Sequence, residues 1–353
     1  MKIIFILPDL GSGGAERVVS ILSEEIVNKG YHVDIIMMYG NRVQYQLHPK
    51  VGLFRLNLLG QNIWRRLKIL RKQLKSIIGN EKAVVVPFQD SVLNMVLVAS
   101  LGLMVRVVAC ERNNPYIKGV KLIKKLRAMF PYWLSDYCVF QTPDARNYYS
   151  IISDEKCSII INPITVPKLE WNGKVDAEHL ISVCRLHRQK NIPMTLKVIQ
   201  ELKPKYPNIH LSIYGEGDLR DEITKEINEM GLQNNISLCG TTKQVTQKLS
   251  ESSIFISTSD FEGISNSMLE AMAVGVTMVC TDCPIGGAHL MLSDGAGYLS
   301  AVGNVKQFVD KVDNLLSNQN QCQRMSEIAK KKASMYTPEC VAKQWIEVFN
   351  KLL

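Results

Sequence analysis

The stretch SIFISTSDFEGISNSMLEAMAVGVTMVCTD, residues 253–282, holds two short apolar runs on either side of an apolar helix. Each outer run has the length of a buried strand. The small residues Ala271, Ala273 and Gly275 let the helix between them lie close to a sheet. A strand, a helix and a strand in this order are typical of a parallel α/β fold.

Apolar runs and amphipathic helices alternate in the same way along the whole chain. The alternation breaks at NPITVPKLEWNGK (162–174), where two prolines, a glycine and the absence of periodicity predict a linker. Strands are predicted at 2–8, 32–39, 83–88, 106–111, 137–142 and 158–164 before the linker, and at 179–186, 210–217, 236–242, 253–259 and 277–282 after it.

We therefore expect two Rossmann-like α/β domains, residues 1–165 and 166–337, because 353 residues are more than one hydrophobic core usually serves. The clearest helix is predicted at 14–30, and an amphipathic helix at 340–353 ends the chain. Residues 338–353 are expected to pack back on the first domain. A ligand would bind in a cleft between the domains, beyond the carboxyl ends of the strands.

The composition is that of an ordinary globular protein, with 46% hydrophobic and 21% charged residues. No uncharged apolar run of about 18 residues is present, so no transmembrane helix is expected. The apolar start leads directly into a Gly-rich turn, which favours a first strand over a signal peptide. Nine cysteines include one close pair, Cys280 and Cys283; without a second pair or a His cluster, cytosolic thiols are favoured over zinc ligands.

The net charge of +9 is concentrated in the first half of the chain. Residues 1–168 have 23 Lys and Arg against 12 Asp and Glu, a net +11, whereas the remainder is at −2. Two segments, 64–78 and 118–133, alternate Leu and Ile with Lys and Arg at helical spacing and have Trp or Tyr at one end. The pattern is typical of helices on an anionic membrane surface, and solvated helix faces packed on a sheet have it too.

A glycine turn, GSGGAER (11–17), follows the first predicted strand and opens a helix. Backbone amides and the helix dipole at such a turn favour an anion, so Gly13 and Gly14 are candidate phosphate-binding residues. Glu16 stands where the dinucleotide fingerprint needs a third glycine, so the match to an NAD site is poor. A tight turn without a ligand is the alternative.

Polar residues follow several predicted strands of the second half. Arg185 lies at the end of the first of them and Lys190 follows it, and this pair of cations suits a diphosphate, unless both are only solvated. Gly215 and Gly217 form a turn after the next strand.

Two acids, Glu262 and Glu270, are separated by seven residues around the start of the helix in 253–282. A carboxylate suits vicinal hydroxyls because its two oxygens can accept from both, so we expect Glu262 to bind a sugar and Glu270 a ribose diol. The alternatives are a favourable helix-dipole interaction for Glu262 and a buried ion pair for Glu270. Ser265 or Asn266 can cap the helix.

Taken together, these segments resemble the retaining glycosyltransferases of family 4, which have two Rossmann-like domains facing each other across a cleft in the GT-B arrangement. The resemblance covers nearly the whole chain and is strongest over residues 257–287, where Glu262 and Glu270 match the family's Glu-x7-Glu motif. It also includes GGAERVV (13–19), VFQTPDARNYY (139–149), INPI (161–164), RLHRQKN (185–191) and YGEGDLR (214–220).

The resemblance implies a role for each matching residue. Arg185 and Lys190 would hold the donor diphosphate, Glu270 the nucleotide ribose and Glu262 the donor sugar, which makes Arg185, Lys190 and Glu262 the catalytic candidates. Such enzymes need no metal, and Asp260-Phe-Glu262 is only a faint echo of a D-x-D motif. Further substrate contacts are expected from Gly13, Gly14, Gly215, Gly217, Gly263, Ile264, Ser265 and Asn266.

The chain departs from the family pattern at two places. In CERNNP (110–115) Arg112 stands where many members have a His near the reacting sugar. Arginine cannot act as a base, so Glu111, Arg112 and Asn113 would serve in binding. In TDCPIGGAHL (281–290) a family Glu is missing near His289, and the backbone of Gly286 and Gly287 is expected to take over its contacts.

The resemblance further implies a front-face transfer, in which the leaving diphosphate receives the acceptor's proton after domain closure has excluded water. The expected donor is a UDP-linked hexose or N-acetylhexosamine. The expected acceptor is a lipid-linked glycan for a surface polysaccharide, met by a peripheral enzyme at the cytoplasmic face of the cell membrane. No cofactor and no nucleic acid are expected. A sugar-nucleotide epimerase of the same architecture and a non-catalytic nucleotide- or anion-binding protein are the alternatives.

Overall fold

A computed structural model describes residues 1–11, 13–118, 122–171, 173 and 178–352, with the side chains of residues 117, 118 and 122 excepted. The chain divides into two compact units. The first domain comprises Met1–Pro163 together with Pro338–Leu353, and the second comprises Ile164–Thr337. Among the described residues, no helix combines the length and the hydropathy needed to cross a membrane.

The first domain is built on a parallel sheet to which the described residues contribute seven strands, in the order β3-β2-β1-β4-β5-β6-β7. The central strands are buried on both faces, which is why they read as continuous apolar runs. The strands are β1 (Lys2–Leu7), β2 (His32–Met37), β3 (Gly52–Arg55), β4 (Ala83–Pro87), β5 (Val105–Cys110), β6 (Tyr137–Phe140) and β7 (Cys157–Ile159). The helices between them are α1 (Gly14–Asn28), α2 (Ile63–Ile78), α3 (Asp90–Ser100), α4 (Leu122–Leu134) and α5 (Pro143–Tyr148).

The second domain repeats this plan with six described parallel strands in the order β10-β9-β8-β11-β12-β13. They are β8 (His179–Val183), β9 (His210–Tyr214), β10 (Ile236–Gly240), β11 (Ile254–Ser257), β12 (Thr277–Thr281) and β13 (Tyr298–Ser300). The helices are α6 (Ile192–Leu202), α7 (Arg220–Glu229), α8 (Val245–Ser250), α9 (Asn266–Val274), α10 (Gly287–Leu292), α11 (Val305–Ser317) and α12 (Gln319–Ala333).

The last helix, α13 (Pro338–Leu352), belongs to the first domain. Its Trp345 is fully buried, with ring centroids 6.5 Å from Phe5 of β1 and 5.9 Å from Phe88 at the end of β4. Lys29 forms an ion pair with Glu339 over 2.7 Å, close to the end of α1. The chain therefore returns from the second domain to complete the core of the first.

Each predicted strand is present, and most end one to three residues earlier than predicted. The prediction over 158–164 only overlaps β7, and two strands were missed, β3 and β13. Both are short edge strands of four and three residues, too short to stand out as apolar runs. The basic segment 64–78 lies in α2; of 118–133, residues 119–121 lie outside the described residues and most of the rest forms α4.

From Ile164 onwards, the segment predicted as a linker is part of the second domain. Trp171 donates its backbone N–H to the carbonyl of Val274 at 2.9 Å and its indole Nε1–H to the carbonyl of Ser252 at 2.7 Å. Residues 172 and 174 of the predicted linker lie outside the described residues. Trp171 is thus held to the second domain by two hydrogen bonds.

Both sheets reverse their strand order at one place, where β1 lies beside β4 and β8 lies beside β11. In open α/β sheets, ligands bind beyond the carboxyl ends of the strands at such a reversal. In the second domain the two segments that leave these strands contain Arg185 and Lys190, after β8, and Glu262, after β11. The fold therefore brings Glu262 to a pair of cations that precede it by more than 70 residues, since Lys190 and Glu262 are 72 residues apart.

Candidate active site

The loops that follow β8 and β11 are bonded to each other along their length. The backbone N–H of Asp260 donates to the carbonyl of Gln189 at 2.9 Å, and the Asn191 side chain donates to the Asp260 carboxylate at 2.6 Å. The Thr258 hydroxyl donates to the carbonyl of Lys190 at 3.0 Å. These bonds fix the backbone that presents Lys190. They also use Asp260, the first acid of the faint D-x-D echo, to position a loop.

Lys190 and Glu262 form an ion pair between the two loops. Both side chains are largely buried, with 12% and 16% of their surface exposed. The Glu262 carboxylate also accepts from Gln189 Nε2 at 3.2 Å and from the Ser259 hydroxyl at 3.3 Å. The sequence predicted that Lys190 binds a diphosphate and that Glu262 binds a sugar. In the structure these two side chains bind each other.

Burial lowers the pKa of Lys190, and the nearby Arg185 guanidinium also acts to lower it. The Glu262 carboxylate acts in the opposite direction because it favours the charged ammonium. Arg185 itself is exposed, at the rim of the same loop. Lys190 is a partly buried cation that is paired with a carboxylate, and an exposed cation, Arg185, lies nearby. When an anion binds here, Lys190 can exchange the Glu262 carboxylate for that anion.

Gln189 and Ser259 are site residues that sequence reasoning missed. Gln189 is buried and also donates to the carbonyl of Phe261 at 2.8 Å, so it spans the loops after β8 and β11. The sequence signal that could have identified Gln189 was its position in RLHRQKN, a motif from which only the cations were considered.

Helix α9 begins directly after the segment that carries Glu262. Ser265 occupies the cap position, although its side chain makes no capping bond and lies 3.0 Å from the Ser267 hydroxyl. Glu270 is half-buried on α9. Gly275 ends the helix with φ +87°, and a Cβ there would lie 2.6 Å from the Ser326 hydroxyl of α12. Gly275 thus lets the end of α9 lie close to α12, while the prediction had placed the small residues against the sheet.

Gly287 at the start of α10 packs against the same segment. Its N–H donates to the carbonyl of Gly263 at 2.8 Å, and a Cβ at this position would lie 2.3 Å from the Ile264 side chain. Nearby, His289 Nδ1 lies 3.1 Å from the Asp282 carboxylate. Gly287 thus supports the turn before α9, and a substrate contact by Gly286 or Gly287 stays a prediction.

Gly215 and Gly217 let the loop after β9 lie against the loop that carries Arg185. A Cβ on Gly215, which has φ +141°, would lie 1.8 Å from the carbonyl oxygen of Cys184, and one on Gly217 would lie 2.3 Å from that of Leu186. The structure gives these glycines a packing role that the sequence reading did not foresee. Their direct contact with substrate stays a prediction.

Cys280 and Cys283 are buried beside Lys190, at the end of β12. Burial raises the pKa of both thiols, that of Cys283 to about 11, so both stay protonated near neutral pH. Among the described residues, no three His, Cys, Asp or Glu side chains are placed to share a metal ion.

In the first domain, a carboxylate lies over the glycine turn after β1. Glu16 is 8% exposed, and a Cβ on Gly13 would lie 1.9 Å from its Oε2. Gln89 Nε2 donates to Glu16 Oε1 at 2.9 Å, and the Tyr45 hydroxyl donates to the carbonyl of Gly13 at 3.1 Å. Gly14 begins α1, and Ser12 lies outside the described residues. A negatively charged group at a helix N-terminus is favourable, and here the chain supplies one.

Glu111, expected to bind substrate, is instead engaged in the interior. It is 1% exposed, and its Oε2 accepts from the hydroxyls of Tyr132 at 3.2 Å and Tyr149 at 2.5 Å. Its Oε1 accepts from the backbone N–H of Asn113 at 3.1 Å. In the structure Glu111 therefore holds α4 and the end of β5 together, and a contact of Glu111 with substrate stays a prediction.

Arg112 lies flat on an aromatic cluster. The centre of its guanidinium is 4.0 Å from the Phe88 ring and 5.7 Å from the Trp345 ring. Nη1 donates to Asn162 Oδ1 at 3.2 Å, which also accepts from Gln141 at 2.7 Å. Nε and Nη2 are buried and lack an acceptor among the described residues. Burial lowers the pKa of Arg112 to about 10, so the group is still charged at neutral pH.

Comparison with known proteins shows the enzyme class of the chain. Residues 169–332 match the sequence model of the family described as glycosyl transferases group 1. An uncharacterized glycosyltransferase of Haemophilus influenzae is 23% identical over 347 residues, with 98% of each chain covered. The chain is a glycosyltransferase.

Two further proteins similar to this glycosyltransferase are better described. A Campylobacter jejuni α-1,4-N-acetyl-D-galactosaminyltransferase, named for a diNAcBac-PP-undecaprenol acceptor, is 23% identical over 363 residues, with 100% of this chain and 99% of the relative covered. The structure of HepE from Anabaena in complex with UDP superposes with a TM-score of 0.84 at 15% identity, over 99% of this chain and 100% of HepE. The second likeness shows the fold, two Rossmann-like domains.

Proposed function

We propose that this glycosyltransferase moves a hexose or an N-acetylhexosamine, with retention of configuration, from a UDP-sugar to a lipid-linked glycan during the synthesis of a surface polysaccharide. The observation that carries the proposal is the Lys190–Glu262 ion pair beside the exposed Arg185, at the strand-order reversal of the second domain. A diphosphate needs cations and a sugar needs hydrogen-bond acceptors, and this place offers both.

Donor binding exchanges the partners of this pair. The diphosphate replaces Glu262 beside Lys190, with Arg185 adding a planar fork of N–H donors. Glu262, released from the ammonium, then accepts from hydroxyls of the donor sugar. An ion pair this buried costs solvation for both charges, so each charge has to gain a new partner at the same time.

The transfer itself proceeds on one face of the sugar. The bond between the anomeric carbon and the diphosphate oxygen breaks while the acceptor oxygen forms its bond on the same face, which retains the configuration. The acceptor's proton passes to the departing diphosphate oxygen. Arg185 and Lys190 stabilise the negative charge that builds on the leaving group, and charge stabilisation of this kind is often the largest contribution to a rate.

Support for a UDP-linked donor comes from similar folds that bind UDP, among them HepE. Glu270, half-buried on α9, is the residue that we assign to the ribose hydroxyls. The amides at Gly263, Ile264, Ser265 and Asn266 precede and begin α9, where the helix dipole favours a phosphate.

Support for a lipid-linked acceptor comes from the Campylobacter relative and from the charge of this chain. Residues 1–168 carry a net +11, which favours an anionic surface. We therefore place the enzyme as a peripheral protein at the inner face of the cell membrane, with its first domain toward the lipid.

Replacing the cations tests the proposal. Arg185→Ala and Lys190→Ala are each expected to lower the turnover of a UDP-sugar by about 10²–10³-fold, because charge on the leaving diphosphate is no longer offset. The measurement is the release of UDP or GDP from a panel of UDP- and GDP-sugars by the purified proteins. Arg188→Ala, an exposed arginine in the same loop, is the matched control and should keep its rate. Near-normal turnover by either site variant would exclude this assignment.

A further inference from the structure

One side of α4 is apolar and exposed to solvent. Five of its side chains are between 48% and 68% exposed and recur at spacings that share one helix face. The rings of two of them, Phe130 and Trp133, stack at 6.0 Å. This apolar face of α4 consists of Ile123, Leu126, Phe130, Trp133 and Leu134.

The opposite side of α4 is committed to the interior. Met129 and Tyr132 are 1% and 2% exposed. The Tyr132 ring lies 4.3 Å from that of Tyr149, and its hydroxyl donates to Glu111 at 3.2 Å. Rotating the helix to bury its apolar face would break these contacts and expose a buried carboxylate. The first domain therefore holds this face outward.

The charges on α4 identify what covers the face. Lys124 and Arg127 are exposed and lie between the exposed apolar residues in sequence, whereas the Lys125 ammonium lies 5.2 Å from the centroid of the buried Tyr148 ring. The sequence of α4 contains no acidic residue. Lysine and arginine stems can lie along apolar material while their charges stay at a polar boundary, and a tryptophan favours the same boundary. An anionic bilayer offers acyl chains for the apolar residues and phosphates for the cations.

We propose that α4 docks this glycosyltransferase on an anionic bilayer by inserting its apolar face among the lipid acyl chains. Lys124 and Arg127 then meet the lipid phosphates. The inference deepens the membrane attachment of the proposed function and rests on it, by separating insertion at α4 from general attraction of a basic domain. Tyr132 and Glu111 connect the inserted helix to the end of β5, where Arg112 lies.

Helix α2 provides the contrast. Beyond Ile63 and Trp64 at its start, its exposed side is mostly Lys and Arg, so we assign it to attraction without insertion. Attraction is screened by salt and insertion is not. Binding to vesicles is therefore compared at about 0.1 M and about 1 M NaCl, where the Debye length falls from ~10 Å to ~3 Å.

The experiment measures sedimentation of the purified chain with vesicles of equal parts phosphatidylglycerol and phosphatidylcholine. The double variant Phe130→Ser, Trp133→Ser is expected to weaken binding at least about tenfold at both salt concentrations, because two aromatic side chains lose their burial. Lys124→Gln with Arg127→Gln should weaken binding only at the lower salt. Leu101→Ser, which removes an exposed leucine elsewhere in the first domain, is the matched control and should bind as the wild type does.

Wild-type binding by the Phe130, Trp133 variant would overturn the inference. So would a wild-type oligomer in solution that this variant converts to a monomer in light scattering, because a second copy would then cover the face. UDP-sugar hydrolysis by the wild type without vesicles separates the two proposals. Hydrolysis without vesicle binding would support glycosyl transfer from a UDP-sugar and contradict insertion of α4. Vesicle binding without hydrolysis would support insertion of α4 and contradict the transfer.

Discussion

At the scale of single residues, Arg112 carries a charge that its surroundings do not fully satisfy. Two of its nitrogens, Nε and Nη2, are buried without an acceptor among the described residues, and its guanidinium lies on Phe88. An unmade hydrogen bond of a buried donor costs about 1–3 kcal/mol, and more for a charged group. Such a cost is tolerated where a ligand supplies the missing acceptor, which fits a binding role for Arg112.

Arg112→Met is expected to raise the free energy of unfolding by about 1–3 kcal/mol while it lowers glycosyl transfer, because the apolar side chain keeps the packing and removes the buried charge. The folded pKa of about 10 lies below the ordinary 12.5, so the unfolded chain binds the proton more tightly. The destabilising contribution is therefore fully present at neutral pH and fades only as the pH rises through that range. Urea unfolding and transfer assays provide the measurements; a loss of stability together with unchanged transfer would contradict the expectation.

At the scale of elements, the candidate site depends on loops that are held against one another. The loops after β8 and β11 share hydrogen bonds through Asp260 and Thr258, and the loop after β9 approaches through Gly217. The cation loop is thus positioned from two sides by segments that do not themselves carry the charge.

Gly217→Ala is expected to weaken UDP binding, because its Cβ would meet the carbonyl of Leu186 at 2.3 Å and displace the loop that presents Arg185. The control is Gly231→Ala, where the Cβ meets open space but the residue has φ +65°. That change should cost about 1–2 kcal/mol of stability through backbone strain and leave the UDP affinity unchanged. Calorimetric titration with UDP, beside thermal unfolding, distinguishes the two. Equal loss of affinity in both variants would mean that general destabilisation explains the effect.

At the scale of the whole molecule, the N-terminal and C-terminal segments of the chain belong to the same domain. The first domain is completed by α13, whose Trp345 packs between the residues of β1 and the end of β4. The last helix therefore completes the core of the first domain.

Trp345→Ala is expected to destabilise the first domain by about 3–5 kcal/mol, the usual cost of removing a large buried aromatic side chain. Hydrogen exchange resolved by strand should accelerate in β1 and β4 and change little in β8 and β11. Phe308→Ala, in the core of the second domain, is the matched control and should give the opposite pattern. Acceleration confined to α13 itself would show that the helix is dispensable for the first sheet.

Much of this architecture was readable before any tertiary information. The apolar runs around 253–282 predicted a parallel α/β fold, and that fold is confirmed. Charged residues at or soon after the ends of predicted strands, Arg185 and Lys190 at one and Glu262 at another, indicated the candidate site. These features are local, since strand periodicity and the residue that follows a strand depend only on neighbouring sequence. The edge strands β3 and β13 were not predicted because a few half-buried residues do not form a recognisable apolar run.

Only the tertiary structure decided which of these residues meet. Lys190 and Glu262 are 72 residues apart, and they pair because β8 and β11 are neighbours in the sheet. The roles of Gly215 and Gly217 in packing and of Glu111 in holding two tyrosines, together with the outward face of α4, depend equally on which surfaces are already occupied. The sequence by itself determined the elements and the chemistry at their ends. The contact partners of these residues, and the surfaces that stay exposed, followed from strand order and packing. A local sequence pattern contains no information about either.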